Sequence, residues 1–314
     1  MVSVSSGASA VFGIGMIKDK DSFRNIGLIG RPDRASVVDT LNLLEQYLLQ
    51  EGLTVIYDEG TAALMQREGL QVCSRPLLGE VCDLVIVVGG DGSLLHAARA
   101  LARYKTPVLG VNRGRLGFLT DISPDEVITK VAAVLHGDYT VDYRFLLNLE
   151  VRSNGNPVGE ALALNDVVLH AGKSVHMLEF ELYIEGQFVY RQRSDGLIVA
   201  TPTGSTAYAL SGGGPIMHPK LDAIVLVPMH PHTLSSRPIV VDGDSEIKIR
   251  ITETTLRPLV SPDGHSGISL NAGDWVYIKK HPFKLKLIHP PGYGFYAACR
   301  TKLGWGSNPI KGDE

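Results

Sequence analysis

Three stretches of the chain carry residue types that could do chemistry. In Asp83-Leu84-Val85-Ile86-Val87-Val88-Gly89-Gly90-Asp91-Gly92-Ser93, an apolar run ends in glycines around one acid. Gly89, Gly90 and Gly92 would let backbone N–H groups approach a phosphate with no Cβ in the way. A bare turn needs the glycines but not the acid. Asp91 beside an anionic phosphate is costly unless it binds a metal or takes a proton. The acid therefore points to phosphoryl transfer rather than simple phosphate holding. The plainer alternative is a tight strand-to-helix turn.

The second stretch runs from the strand-like Asp195-Gly196-Leu197-Ile198-Val199-Ala200 into Thr201-Pro202-Thr203-Gly204-Ser205-Thr206-Ala207-Tyr208-Ala209-Leu210-Ser211-Gly212-Gly213-Gly214-Pro215. So many small hydroxyls and glycines suit hydrogen bonding to a polar ligand, and Tyr208 could lie against a base. An N-capped helix between two turns fits equally well. The third is Asn165-Asp166, inside the apolar run Ala161 to Leu169. Buried unpaired polar groups cost ~1–3 kcal/mol, so this pair is either a turn or a site. Two other phosphate motifs are excluded. Ala171-Gly172-Lys173-Ser174 ends like a Walker A loop, but Val167 stands at its first glycine; Gly13-Ile14-Gly15 has Lys18 where a dinucleotide fingerprint needs Gly.

Alternating strands and helices would position the first stretch. Asn25 to Gly30 reads as a buried strand, and Val37, Leu41, Leu44 and Leu48 recur at helical spacing. Leu53 to Tyr57, Asp83 to Val88 and Pro107 to Val111 read as strands, and Ser93 to Ala102 as a helix. This order predicts an α/β domain with a parallel sheet covered by helices. Ser123-Pro124-Asp125-Glu126 starts another helix with a capping box, ending near Gly137. After Tyr139 the strand-like segments are Leu146 to Val151, Ala161 to His170, Leu178 to Ile184, Gln187 to Arg191, Ile239 to Val241, Ile247 to Ile251, Trp275 to Lys279 and Phe283 to Ile288. Glu185-Gly186 is a two-residue hairpin turn. Many short strands predict a β-rich, sandwich-like second domain. Residues 1–22 read as a flexible leader, with Met16 as an alternative start. The expected division is 23–122 for the α/β domain and 123–289 for the β-rich one, with 290–314 folding back onto the first.

The chain has 314 residues, 44% of them hydrophobic and 20% charged, with a formal net charge of -3. That is enough for two real cores, and it shows neither disorder nor the cationic excess of a nucleic-acid binder. Cys73, Cys82 and Cys299 are an odd count with no CxxC spacing, which suits reduced thiols in the cytoplasm. The apolar runs Leu84 to Val88 and Ala223 to Val227 are too short to span a bilayer. His230 and His232 show no metal-ligand spacing, and no metal ligand is expected from the protein.

The Gly89 to Gly92 loop resembles that of a kinase superfamily containing NAD kinases, diacylglycerol-type lipid kinases and phosphofructokinases. Three further segments resemble NAD kinases in particular: Asn112-Arg113-Gly114-Arg115-Leu116-Gly117-Phe118-Leu119, Leu164-Asn165-Asp166-Val167-Val168, and Asp195-Gly196 through Gly214-Pro215. The resemblance covers roughly Asn25 to Trp305. It implies Asp91 as general base, with Gly92 beside it at the bound nucleotide, both among the NAD-binding residues, and Asn165 and Asp166 as paired NAD contacts. It places His176, Arg193 and Asp195 at the ligand, although alone His176 is a generic strand-edge histidine and Arg193 a generic surface charge. Thr206, Ala207, Tyr208, Ala209, Leu210 and Ser211 match the adenine- and ribose-binding turn. In Asp263-Gly264-His265 the family often has Gln at the position of His265; histidine can keep the contact and make it pH-dependent. The implied reaction uses ATP and Mg²⁺, held mainly by the triphosphate, to phosphorylate the adenosine-ribose 2′-hydroxyl of NAD, giving NADP. A homodimer or homotetramer is implied. A lipid kinase would need a membrane-docking cluster, and none is found. A nucleotide sensor would have no use for Asp91.

Overall fold

The computed structural model describes residues 23–31, 35–114, 117–172, 177–233, 235–252, 257–265 and 267–305. The first part alternates β1 (Asn25–Gly30), α1 (Ala35–Gln50), β2 (Thr54–Asp58), α2 (Glu59–Met65), β3 (Val72–Cys73), α3 (Arg75–Val81), β4 (Leu84–Gly89), α4 (Asp91–Leu101) and β5 (Val108–Asn112). Strands β1 to β5 pair in parallel in the order β3-β2-β1-β4-β5. β4 is buried along its whole length, which explains its unbroken apolar run. Val37, Leu41, Leu44 and Leu48 of α1 are all fully buried, as their spacing predicts. The short helices α2 and α3 lack enough periodicity to be read from sequence.

A short 3₁₀ turn, Pro124–Glu126, leads into α5 (Val127–Leu135). The Ser123 hydroxyl does not accept a backbone N–H there. It donates to the Glu126 carboxylate at 3.0 Å, so the expected box closes side chain to side chain. Gly137, at φ +87°, ends the helix. Val127, Val131 and Val134 pack into the same core as α1 and the parallel sheet. The β-rich part contains β6 (Thr140–Ser153), β7 (Asn156–Ala163), β8 (Asp166–His170), β9 (Leu178–Ile184), β10 (Gln187–Ser194), β11 (Gly196–Ala200), the single-turn α6 (Tyr208–Ser211), β12 (Ala223–Met229), β13 (Ile239–Asp242), β14 (Ile247–Ile251), β15 (Leu259–Pro262), β16 (Ile268–Ser269) and β17 (Trp275–His289). α7 (Phe295–Leu303) follows. Glu185-Gly186 forms the expected hairpin with φ of +52° and +73°. Asn154-Gly155 makes a second one, joining β6 to β7.

Among the described residues the strands form an eleven-stranded and a six-stranded sheet. The two expected strands at Trp275 to Lys279 and Phe283 to Ile288 are one strand, β17, with a register shift between Lys280 and Lys284. Its start pairs with β14, and Leu287 and Ile288 pair in parallel with Val108 and Leu109 of β5. β17 thus joins the parallel strands to the antiparallel ones. The six-stranded sheet, ordered β13-β12-β11-β8-β15-β16, packs against the antiparallel strands. Val167, Leu169, Leu197 and Val199 from one sheet share a core with Leu147, Phe180, Leu182, Ile249 and Val276 from the other. This is the predicted sandwich. The other face of β8 and β11, with Val168, Ile198 and Ala200, is partly covered by Ala209 and Met217. After β17, His289 stacks on Tyr293 with ring centroids 3.5 Å apart, Lys130 donates to the Pro291 carbonyl, and Lys302 lies over the Phe118 ring. Among the described residues no helix is long and apolar enough to cross a membrane.

Candidate active site

The glycine loop sits where β4 ends and α4 begins, at the carboxyl edge of the parallel sheet. Gly90 is the N-cap of α4, and its carbonyl accepts from Ser93 and Leu94. A Cβ on Gly89 would stand 2.4 Å from Ser93 Oγ, so the turn itself needs that glycine. Gly90 and Gly92 have no atom within 4 Å of a Cβ position. Their missing side chains leave open space rather than relieve a clash inside the protein. A cleft of about 180 Å³ opens here, lined by Arg31, Val37, Gly89, Gly90, Asn112, Arg113 and Gly114. Glycine backbone, the positive end of α4 and two arginines, of which Arg113 donates to the Ser36 carbonyl, border one small volume, an arrangement that suits phosphate oxygens.

Asp91 is the first residue of α4, and its carboxylate is held by the segment after β5. Oδ1 accepts from Leu119 N–H and Thr120 N–H at 3.1 Å and from Thr120 Oγ1 at 3.0 Å. Among the described residues Oδ2 accepts only from Phe118 N–H, at 2.8 Å. A Cβ on Gly117 would stand 1.7 Å from Oδ1, so only glycine lets this segment close over the acid. The Gly117-Phe118-Leu119 part of the family-like motif is therefore the clamp on Asp91.

A larger cleft, of about 550 Å³, lies on the outer face of the six-stranded sheet. Asn165, Asp166, Val168 and His170 line it from β8 and the turn before it, Ala207 and Tyr208 from α6, and Leu259, Ser261, Asp263, Gly264, His265 and Gly267 from β15 and beyond. Asn165-Asp166 proves to be both a turn and a cleft wall. Ala161 to His170 is not one strand: β7 leaves in the large sheet and β8 enters the small one. The buried Asp263 carboxylate causes the break. It accepts from the N–H groups of Leu164, Asn165 and Asp166 at 2.8–3.2 Å, which removes them from any ladder. Asp263 also pairs with Arg99 of α4 at 3.0 Å. The helix that begins with Asp91 is thereby tied to the wall of the larger cleft.

The polar groups of this cleft have distinct states. Burial, with the Asp263 charge second, pushes the Asp166 carboxyl up to about 7. Asn165 Oδ1 is buried and has no hydrogen-bond partner among the described residues. Tyr208 is 47% exposed, leaving a ring at the cleft mouth for stacking. His265 Nδ1 lies 3.0 Å from its neighbour's carbonyl, Asp263 O, and 3.3 Å from Arg99 Nη1. Its ring meets His96 at 5.7 Å. Burial, then the charges of Arg75 and Arg99 and the His265 ring, lower the His96 pKa.

Of the expected site residues, Asn165, Asp166, Ala207, Tyr208 and His265 share this cleft, while Gly89 and Gly90 line the smaller one. Thr206 bonds the Thr203 carbonyl, Ala209 is buried in the core, and Leu210 and Ser211 complete α6. Arg193 and Asp195 are not brought to either cleft. They stand at the opposite end of β11 from Ala200, which pairs with Asp166; there Asp195 meets His230 at 3.0 Å. His176 lies outside the described residues. Sequence reasoning missed Asp263, His170 and Ser261 as cleft residues. Asp263-Gly264 carried a turn signal, but nothing in the sequence ties Ser261 to His170, 91 positions away.

Two family models match the chain: the ATP-NAD kinase N-terminal domain over residues 26–139 and the ATP-NAD kinase C-terminal domain over residues 164–290. The NAD kinase of Acinetobacter baylyi is 68% identical over 284 residues, covering 90% of this chain and 92% of that one. The NAD kinase of Azotobacter vinelandii is 64% identical over 288 residues, covering 91% and 98%. Among solved structures, yeast NADH kinase complexed with NADH superposes with a TM-score of 0.86 at 26% identity, over 94% of this chain and 91% of that one. An NAD kinase from Archaeoglobus fulgidus in complex with ATP shares the fold, with a TM-score of 0.67 at 24% identity over 89% and 97%.

Proposed function

The chain belongs to the NAD kinase family and has its enzymatic activity; on that premise we propose that it transfers the γ-phosphoryl group of ATP to the 2′-hydroxyl of the adenosine ribose of NAD, with Asp91 as general base. The carrying observation is the place of α4. Its N-terminus opens on the small cleft, and Arg99, two turns later, grips the wall of the large one through Asp263. The triphosphate takes the small cleft, where amides and guanidinium groups meet its oxygens. The dinucleotide takes the large cleft. Tyr208 stacks on adenine, and the unpartnered Asn165 Oδ1 accepts from its amine.

Asp91 Oδ1 already has three donors, whereas Oδ2 has one and keeps a lone pair. Oδ2 is therefore the atom that takes the 2′-hydroxyl proton. The ribose oxygen bonds to the γ-phosphorus, the bond to the β,γ-bridging oxygen breaks, and ADP leaves with that electron pair. The charged side chains lining the small cleft, Arg31 and Arg113, are cationic and suit phosphate oxygens rather than a cation, so Mg²⁺ would be held by the triphosphate. When bound it neutralises charge developing on the phosphate oxygens.

Two further points belong to the same reading. Arg193 and Asp195 stand away from the cleft, so they can meet the dinucleotide only in a neighbouring copy, which favours a homodimer or homotetramer. The unbonded thiols of Cys73, Cys82 and Cys299 suit the reducing cytoplasm. The test is direct. Purified protein with ATP, Mg²⁺ and NAD should form NADP and ADP in equal amounts. ATP consumption without NADP would refute the acceptor assignment.

A further inference from the structure

The segment that closes over Asp91 is itself held from behind. Thr120 Oγ1 accepts from Asn112 Nδ2 at 2.9 Å, so its own hydrogen goes to Asp91 Oδ1. The Ile122 carbonyl accepts from Asn112 N–H at 2.8 Å. Between these two anchors stands Asp121, whose carboxylate the reaction above does not use. Its Oδ2 lies 3.0 Å from His289 Nδ1. A carboxylate can only accept, so the ring donates from Nδ1. Among the described residues this is the one hydrogen bond of the Asp121 carboxylate, because the buried Oδ1 has no partner.

His289 has little freedom to follow a moving Asp121. It is fully buried at the end of β17, where its backbone is paired with Thr140 of β6. Tyr293 stacks on its ring. Nε2 stands 3.7 Å from the Asp142 carboxylate, too far for a hydrogen bond, and Asp142 is bound by Arg144 at 2.9 Å. The Arg144 guanidinium in turn lies 3.4 Å from Thr203 Oγ1, between β11 and α6. Ladder, stacking and charged neighbours all come from the β-rich part and the chain after it. The atom that His289 grips belongs to the segment over the base.

We propose that His289 is a positioning residue for the phosphoryl transfer. By holding Asp121 it keeps Phe118, Leu119 and Thr120 in place over Asp91, with the second lone pair of Oδ2 aimed at the ribose hydroxyl. The proposal rests on Asp91 being the general base. The grip lies one residue from Thr120, which supplies two of the three donors to Oδ1. Without it Asp121 is a buried acceptor with no partner, and the chain beside Thr120 must shift to hydrate it. Misplacing a reacting atom by about 1 Å costs up to about 10²-fold in rate. His289 is not among the residues lining either cleft, so the loss should fall on turnover rather than on substrate binding.

Steady-state kinetics and calorimetric NAD binding on two variants separate positioning from packing. A Gln amide nitrogen falls where Nε2 stands, and an Asn amide nitrogen where Nδ1 stands. His289→Gln should therefore lower kcat about tenfold and change Kd for NAD less than about twofold. His289→Asn, which keeps a donor to Asp121, should stay within about threefold of the wild-type kcat. In an Asp91→Asn background, His289→Gln should add less than about twofold, because the base it positions is already gone. An unchanged kcat in natively folded His289→Gln would overturn the positioning role. So would an equal loss of NAD binding, an Asn variant as slow as the Gln one, or losses that multiply with Asp91→Asn. If His289→Gln does not fold, Asp121→Asn reads the same contact from its other side. It keeps the shape and weakens the bond, so kcat should fall about threefold with NAD binding kept. An unchanged kcat there would also overturn the role. An Asp91→Asn variant with wild-type turnover would instead remove the base assignment, and the role of His289 with it.

Discussion

The two clefts that α4 serves are built from different material. The small one is mostly backbone: Gly89, Gly90 and Gly114 beside Arg31, Asn112 and Arg113. The large one is side chains brought from three separate segments, around Asn165, Tyr208 and Ser261. A backbone-built cleft recognises what all triphosphates share and is sensitive to any added Cβ. A cleft built from side chains recognises particular groups and is sensitive to any lost partner. The two should therefore fail in different ways, each affecting one substrate.

The largest separation is expected at Asp263. Asp263→Ala leaves the Arg99 guanidinium and the N–H groups of Leu164, Asn165 and Asp166 without their shared acceptor. Breaking such a buried pair from one side costs about 3–5 kcal/mol of stability, read from urea unfolding. NAD affinity should fall far more than ATP affinity. An equal loss for both would mean the clefts are not independent. The reverse pattern is expected at Gly90, where a methyl group meets no protein atom. Gly90→Ala should fold normally and raise KM for ATP about tenfold by displacing one phosphate–amide contact, while leaving NAD binding alone. An unchanged KM for ATP would move the triphosphate elsewhere.

A smaller effect separates the clefts by pH. In the folded protein burial and Asp263 hold the Asp166 carboxyl at about 7, against 3.8 for an ordinary aspartate. Between those values the unfolded chain has released a proton that the folded one keeps. Stability from this group therefore falls as pH rises from about 4 to about 7 and levels off above. Asp166→Asn should remove that loss. Its melting temperature relative to wild type should be higher by a few degrees at about pH 8 than at about pH 5. The same difference at both pH values would place Asp166 in a less buried setting than the cleft wall.

The glycine loop of the small cleft was legible in sequence because a strand, a glycine turn and a helix start all lie between Asp83 and Ala102, whereas Arg31, Asn112 and Arg113 reach the cleft from other strand ends. The large cleft was not, because β8 and β15 meet only through the fold, and alternation alone cannot say which strands pair. Ala161 to His170 reads as one strand since its apolar pattern runs on, while the acceptor that breaks it lies at Asp263, far along the chain. β17 reads as two strands because Lys279 to His281 interrupt its apolar pattern, yet its pairing with β6 continues through a register shift. Asn165, Asp166 and Tyr208 stood out by residue type, the resemblance to NAD kinases added their roles, and the cleft brings them together. The resemblance also supplied Arg193 and Asp195, which the single chain leaves apart.

The central claim is that Asp91, at the start of the helix that links the two clefts, moves the proton while other residues hold most of the dinucleotide. Asp91→Asn keeps the shape and most of the hydrogen bonds from Phe118, Leu119 and Thr120 but cannot accept the ribose proton. Steady-state kinetics paired with calorimetric NAD binding on this variant gives the answer. With native folding, kcat should drop ~10²–10⁴-fold, and Kd for NAD should change by less than about threefold. A variant that turns over at nearly the wild-type rate, or one that loses NAD binding as completely as activity, would contradict the claim.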